Sequence, residues 1–561
     1  MTRQRWLLLG AALIAIALVI TGTFALRPLL TGPDPAFGPD ATASPTTSPP
    51  PPPWESTSLP GYDPDPGELE LTPLDQAQGE AITVSLALEP DAVTTGGEVG
   101  LSFDATELAN PMWDSDRSNL TLTLQELDRP VLRFGGNGVD RRMWWTSSGE
   151  PAPEWAEATV TPKDLERVAA VADEVDAEVT IALDLGHDDP ARAADMAAHA
   201  HQAFGDRLLA VAIGNEPNGY FHPNQPQLAV RGEAWGPYAY QASLREYSQA
   251  LQKTVPGLPI AGPGAYDATW WRAFADSGIP DQRALSMHWY PLWDCGGPAS
   301  SIANPTVDDL TSPELREQAR HIIGMGADVA SENDLPLWIE ETGPTSCPGT
   351  NDTSRTHAQA LWTVDFVMTA AELGVERMAF HSTLQACQGG APMSPLCATG
   401  DLADPGLIVE GRTSYLALML LGQLPDGRVL SPAVSGDGMV MVHGVLAEDG
   451  SLALMVVDLR DPTTAEAAPV QISAPSGLPA GAAASWELTE GSRLSGEALI
   501  SQESTLTAPA PITGEFAGAT LGRAAPMTVT SDPGAVALLR FEPVREPDPS
   551  DGGGESTAPR A

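Results

Sequence analysis

Leu208-Leu209-Ala210-Val211-Ala212-Ile213-Gly214 runs without a break into Asn215-Glu216-Pro217-Asn218. A short, unbroken apolar run of this kind suits a strand buried on both faces, as in a parallel sheet. The run stops abruptly at an amide, a carboxylate and a proline. A carboxylate at the C-terminal tip of such a strand stands where parallel α/β barrels place their chemistry. A second run of the same kind, Leu337-Trp338-Ile339, ends in Glu340-Glu341-Thr342-Gly343.

Working outward, further strand candidates are Val99–Asp104, Val131–Gly135, Glu178–Leu185, Leu258–Gly262, Ala284–Tyr290 and Arg377–His381. Helical patterns lie between them: Pro162–Val175, Pro190–Phe204, Gln241–Val255, Pro313–Ser331 and Ser354–Leu373, with Thr413–Leu421 closing the series. Thr161 is placed as an N-cap and Pro162 at the first helical position. Eight strands alternating with helices over about 320 residues predict a (β/α)8 TIM barrel, with an open doubly wound sheet as the second choice. No Gly-x-Gly-x-x-Gly follows the first strand, which counts against a dinucleotide site. After about residue 424 the pattern changes to short alternating runs separated by Gly, Pro, Ser and Asp. Val470–Ser473, Ala484–Leu488, Met527–Val529 and Ala535–Phe541 are examples, beside Gly438–Gly444 and Leu452–Asp458. That reads as a C-terminal β-sandwich. The resulting division is a barrel over 81–423 and a sandwich over 424–544, with the strand at 81–90 a candidate member of the sandwich.

The flanks read differently. Arg3 and Arg5 precede an uncharged run from Trp6 to Leu26, and Arg27 closes it. That length suits a membrane-spanning helix, so 1–27 is read as an N-terminal anchor that exports the rest to the cell surface. Thr23-Phe24-Ala25 is an alternative cleavage site that would make it a signal peptide and the product secreted. Residues 28–80 contain the proline run Pro49 to Pro53 and read as an extended linker. The Pro-, Asp-, Gly- and Ser-rich 545–561 reads as a disordered tail.

The 561 residues carry 74 acidic against 29 basic side chains, a formal net charge of -45. The summed field repels nucleic acid and extended polyanions, while a single anionic sugar in a local basic pocket remains compatible with it. The four cysteines, Cys295, Cys347, Cys387 and Cys397, lack metal-site spacing; in an exported protein an even count suggests two disulfides. No metal, cofactor or obligate protein partner is expected.

In a closed barrel all strand C-termini meet at one mouth, so Glu216 and the Glu340-Glu341 pair can flank one bond. Carboxylates about 5–5.5 Å apart support retaining glycoside hydrolysis, one as acid/base and one as nucleophile. Neighbours along a strand point to opposite sides, so only one of Glu340 and Glu341 faces inward unless the tip bulges. Each acid also has a plainer reading, Glu216 as a helix N-terminal acid and the pair as a solvated loop edge. His288 and Tyr290 have a plainer reading too, as hydrogen-bonded core residues. Arg133 is a candidate to bridge carboxylates in the barrel floor or to orient Glu216.

Arg133-Phe134-Gly135-Gly136-Asn137, Gly214-Asn215-Glu216-Pro217-Asn218, His288-Trp289-Tyr290 and Trp338-Ile339-Glu340-Glu341-Thr342 occur in order. Together they resemble glycoside hydrolase family 79, the heparanase and β-glucuronidase family, over roughly residues 81–545. The resemblance implies Glu216 as acid/base, Asn215 on the sugar 2-hydroxyl and Glu341 as nucleophile. It also implies Tyr290 as the nucleophile's hydrogen-bond donor, Asp104 on sugar hydroxyls and Asn137 at a binding position after Gly-Gly. Where many relatives have glycine before the nucleophile, this chain has Glu340. His288 and Trp289 are counted with the substrate-binding residues. Of Trp144, Trp145, Trp270, Trp271, Trp289 and Trp293, two are expected to offer an indole face to sugar. Loops after adjacent strands are adjacent, so the pairings expected are Cys295–Cys347 and Cys387–Cys397.

The sequence therefore predicts a retaining β-glycosidase acting on a carbohydrate, most simply a β-linked uronic acid glycoside. A neutral-sugar exo-glycosidase and a transglycosylase of the same clan are alternatives, as is a non-catalytic carbohydrate-binding protein on the same scaffold.

Overall fold

The computed structural model describes residues 69–70, 77, 80–90, 92–95, 98–224, 226–293, 305–346, 352–502, 509–513, 519–523 and 525–544. The expected anchor, nearly all of the expected linker and the expected tail lie outside them, as do Cys295 and Cys347. Among the described residues no helix is long and apolar enough to cross a membrane.

Eight parallel strands close into a barrel in chain order: Val99–Asp104, Val131–Gly135, Glu178–Leu183, Leu208–Ile213, Ile260–Ala265, Gln282–Trp289, Leu337–Thr342 and Val375–Ser382. They are called barrel strands one to eight. Strand four pairs with strand three on one side and strand five on the other, and strand eight pairs with strand one. All eight fall on predicted runs, with ends moved by a few residues. The helix Pro162–Glu174 opens with a capping box between Thr161 and Asp164 and with Pro162 in its first turn. A helix the periodicity did not reveal, Ala268–Ala275, follows strand five, capped by Asp267. It has only two turns, too few for an apolar period to show.

The barrel floor is packed rather than hollow. Trp338 of strand seven fills it against Ala210, Ala261 and Ala284, which leave room for the indole on strands four, five and six. The guanidinium carbons of Arg283 and Arg377 lie 5.0 and 5.3 Å from the Trp338 ring. Small residues opposite one large one are how a barrel interior reaches close packing.

The β-domain begins before the barrel. The strand Ile82–Ala87 pairs antiparallel with Gly427–Val434 and parallel with Ala468–Ile472. The strands Val440–Ala447, Leu452–Asp458, Ser485–Ser495 and Ala535–Pro543 continue the same sheet. The sheet curls round its own core, in which Val84, Ile472 and Val529 meet Val442, Leu454 and Phe541. Leu452–Asp458 is buried on both faces. Leu452, Leu454 and Val456 point into the β-domain core, while Ala453, Met455 and Val457 join the core of the barrel and its helices.

The helices His357–Glu372 and Thr413–Leu421 are buried on nearly every side, which accounts for their lack of a polar face. Their few charges are paired. Arg316 donates to both oxygens of Asp365 at 2.9 Å and to the Gly438 carbonyl at 2.7 Å, tying a barrel helix to the β-domain. His443 contacts Asp365 and Glu372 at the same seam.

Candidate active site

Strand four ends in two left-handed residues. Gly214 has φ +84°, and a Cβ there would stand 2.5 Å from the Tyr220 hydroxyl, so only glycine fits. Glu216 has φ +47° and ψ +58°, a conformation that costs a non-glycine residue of order 1–3 kcal/mol and persists only where the surroundings impose it. Those surroundings are hydrogen bonds. The Glu216 N–H donates to the Gly264 carbonyl at 2.9 Å, and the Asn215 N–H donates to Asp140 at 3.0 Å. The turn aims the half-buried Glu216 carboxylate across the mouth, where Oε1 lies 3.1 Å from His288 Nδ1.

Strand seven delivers both of its glutamates inward. Trp338 faces the interior, and simple alternation then turns Glu340 inward and Glu341 outward. The pairing with strand six slips between Met287 and His288, and that with strand eight slips between Ile339 and Thr342. This bulge brings Glu341 round to the mouth as well. Glu340 lies deeper, accepting from Thr180 at 2.9 Å, with Arg377 at 3.8 Å and Arg133 at 3.9 Å. Glu341 takes Arg133 Nη1 at 2.6 Å and the Tyr290 hydroxyl at 2.8 Å, with His381 at 3.6 Å.

Arg133, on strand two and 2% exposed, organises the centre. Beside Glu341 it donates to Ser102 Oγ at 2.9 Å and Asn215 Oδ1 at 2.7 Å, so one guanidinium joins the tips of strands one, two, four and seven. With Oδ1 held, Asn215 Nδ2 is buried without a hydrogen-bond partner among the described residues. Burial pushes the Glu341 carboxyl up. Attraction to His288, the His381 imidazole 3.6 Å away and the Arg133 charge outweigh that and hold it well below the usual carboxylate range. Burial pushes His381 down, but the Glu341 carboxylate 3.6 Å away raises it overall. Burial and the Glu341 charge put the Tyr290 hydroxyl far above the ordinary phenol, so it stays a donor.

One oxygen each of Glu216 and Glu341 and one nitrogen of His288 lie within 4.8 Å of one another. Such a set is chemically able to hold a divalent cation. The guanidinium 2.6 Å from Glu341 and the histidine beside it already supply positive charge, which weighs against a second cation there.

The other expected residues are placed as follows. Asn137 is exposed at the mouth, in the turn after strand two. Asp104 ends strand one, but both its oxygens are taken. Oδ1 accepts from Thr106 N and Oγ1, and Oδ2 from Gly138 N and Arg142 Nη2. It is a staple between two loops rather than an open acceptor, and Gly138 is glycine because a Cβ would strike this carboxylate. Trp289 also departs from expectation. It alternates with His288 and so points away from the mouth, where its indole meets Phe366 of the helix layer at 5.3 Å. Trp270 and Trp271 are buried, Trp145 is buried and donates to Asp195, and Arg192 lies 3.8 Å over the Trp144 ring. The Trp293 side chain lies outside those described. Cys387 and Cys397 form the expected disulfide in the loop after strand eight. The sequence reading gave His381, Thr180 and Arg377 no role. A histidine at the tip of an apolar strand, as in Met378-Ala379-Phe380-His381, was the available signal for the first.

The chain thus sets two carboxylates facing each other across the mouth of a closed (β/α)8 barrel joined to a β-domain. No protein-family model and no curated protein sequence matches this chain. Solved structures do. A 4-O-α-L-rhamnosyl-β-D-glucuronidase from Fusarium oxysporum 12S, in complex with Rha-GlcA, aligns over 82% of this chain and 99% of its own at a TM-score of 0.61 and 18% identity. A family 51 arabinofuranosidase from Xanthomonas axonopodis pv. citri aligns over 82% and 100%, with TM-score 0.58 and 16% identity. A family 44 xyloglucanase from Paenibacillus polymyxa aligns over 82% and 99%, with TM-score 0.53 and 12% identity. At these identities the likeness is one of fold.

Proposed function

We propose that the chain is a retaining glycoside hydrolase working by double displacement, with Glu341 as nucleophile and Glu216 as acid/base. The observation that carries this is the approach of one Glu216 carboxylate oxygen to one of Glu341 within 4.8 Å. Retaining enzymes hold their carboxyl groups about 5–5.5 Å apart, whereas inverting ones leave about 6.5–9.5 Å for a water.

The environments divide the roles. Glu341, kept ionised by Arg133, Tyr290 and His381, is ready to attack the anomeric carbon. Its attack expels the leaving oxygen, which takes the Glu216 proton. Glu216 then removes a proton from water, and that water releases the sugar from Glu341. His288, beside both acids, is placed to orient Glu216 through these steps. The unpartnered Asn215 amide is a donor for a sugar hydroxyl next to the anomeric centre.

The finer reading is a β-linked uronic acid glycoside as substrate and membership of glycoside hydrolase family 79. It rests on the ordered motifs and on a glucuronidase among the structural neighbours. A neutral-sugar exo-glycosidase is the second reading, favoured by the arabinofuranosidases among those neighbours. A panel of aryl glycosides separates the two. Glu341→Ala should be inactive, with azide restoring turnover to the inverted glycosyl azide. Glu216→Ala with azide should give the retained product. Full activity of Glu341→Ala would reject the assignment.

A further inference from the structure

Glu216 is set by a network rooted one layer behind it. Asp140 lies in the loop after strand two and is 1% exposed. Its Oδ1 accepts from the N–H groups of Leu185 and Gly186 at 2.9 and 2.8 Å, in the loop after strand three. Its Oδ2 accepts from the Asn215 N–H at 3.0 Å and is also bonded by the Tyr220 hydroxyl, both in the loop after strand four. The Tyr220 oxygen lies a further 3.2 Å from Asn215 N. One carboxylate thus collects four donors from two loops, and one of them belongs to the residue next to the left-handed Glu216.

We propose that Asp140 is a positioning residue for the acid/base: by holding the Asn215 peptide against Tyr220 it fixes the left-handed turn from which Glu216 reaches the leaving-group oxygen. This rests on the role proposed for Glu216.

Three observations support it. A strained φ needs over-determining contacts, and the Asn215 and Glu216 peptide N–H groups are both held, by Asp140 and by Gly264. Tyr220 is itself clamped, stacked on Trp235 at 5.4 Å, while Trp235 donates to the Pro217 carbonyl at 2.8 Å, so the far side of the turn is closed as well. Burial and the nearby Asp184 raise the Asp140 carboxyl to about 7, partly offset by these donors. Such a costly group behind an acid/base is retained more readily for placement than for stability.

Asp140 touches no reacting atom, so its removal should act through proton delivery. In Asp140→Asn the remaining oxygen can still serve Leu185 and Gly186, and the new NH2 can donate to Tyr220, but it opposes the Asn215 N–H. The lesion therefore falls on the turn. The test is kcat/KM, which reports the step in which the leaving group departs, across aryl glycosides of graded leaving-group pKa. Correctly placed acid catalysis contributes about 10²–10⁴-fold. Partial misplacement should therefore cost a poor leaving group such as phenol about 10–100-fold, and dinitrophenol less than about threefold. Tyr220→Phe should tilt the series the same way more weakly, and serves if Asp140→Asn does not fold. A loss equal for every leaving group, or no loss, overturns the inference while leaving the proposed function intact. A wild-type protein inert on every glycoside would instead reject the proposed function, and this inference with it.

Discussion

Arg133→Met offers the sharpest test of how the centre is held. Methionine keeps the bulk of the stem and removes the guanidinium, which is 2.6 Å from Glu341 and 3.9 Å from Glu340. Breaking a buried pair from one side leaves uncompensated charge and typically costs about 3–5 kcal/mol. Unfolding entropy near 2 cal/mol/K per residue makes about 1 kcal/mol worth roughly one degree for a cooperative unit of this size. The midpoint at pH 7 should therefore fall by about 3–5 °C. The sign of the pH dependence follows from Glu341. Its folded value is depressed below 4.5, so its stabilising contribution is fully present above 4.5 and is lost as the pH falls through the folded value. The variant keeps the His288 and His381 shares of that contribution and lacks the Arg133 share. Its deficit should be largest at neutral pH and should close in acid. The same loss lets Glu341 take up a proton earlier, so the acid limb of the rate profile should move to higher pH. Calorimetry from pH 7 to 3 and a kcat/KM profile measure both. A midpoint within a degree of wild type at pH 7, with an unmoved acid limb, would refute the reasoning.

Three further outcomes are expected. Tyr290→Phe removes a hydroxyl donor 2.8 Å from Glu341; a hydrogen bond to a charged group is worth about 1.5–3 kcal/mol, so steady-state kinetics should show kcat down at least about tenfold with KM little changed. Arg316→Met strands the buried Asp365 at the seam between barrel and β-domain, and should lower the neutral-pH midpoint by a similar 3–5 °C, roughly, with the gap narrowing below the carboxylate's ordinary 3.8. Replacing Cys387 and Cys397 with serine opens a cross-link of sequence separation 10, which costs about 2–3 kcal/mol on the chain-entropy view. Arg412 still holds the Cys387 and Ala391 carbonyls, so the loop should keep its fold and show only faster proteolytic nicking.

The barrel was legible because its strands are buried on both faces and so appear as unbroken apolar runs with chemistry at their tips. What alternation alone predicted was less secure. His288 and Trp289 were both counted as substrate-binding, yet neighbours in a strand face opposite ways, and the structure turns Trp289 into the helix layer and out of the site. Alternation also set Glu340 against Glu341, and a register slip, invisible in a string of letters, turns both inward. Asp104 read as an open acceptor because two of its donors, Gly138 and Arg142, come from another loop. The strand Gly427–Val434 went unseen because Gly427 and Pro432 break its pattern, and its place is set by long-range pairing. Asp140 offered no local signal at all: its four partners belong to loops that only the closed barrel brings together.

The β-domain strand Ile82–Ala87 leaves the ribosome before the barrel, and both of its partners leave after it. Until then the apolar outer sides of His357–Glu372 and Thr413–Leu421 wait for Leu452–Asp458 and its neighbours to cover them. The nascent chain must therefore carry a nearly finished barrel with an uncovered flank and an unmatched strand at its front. A stop codon anywhere between the barrel and Ala535–Pro543 should yield aggregate rather than a smaller folded protein.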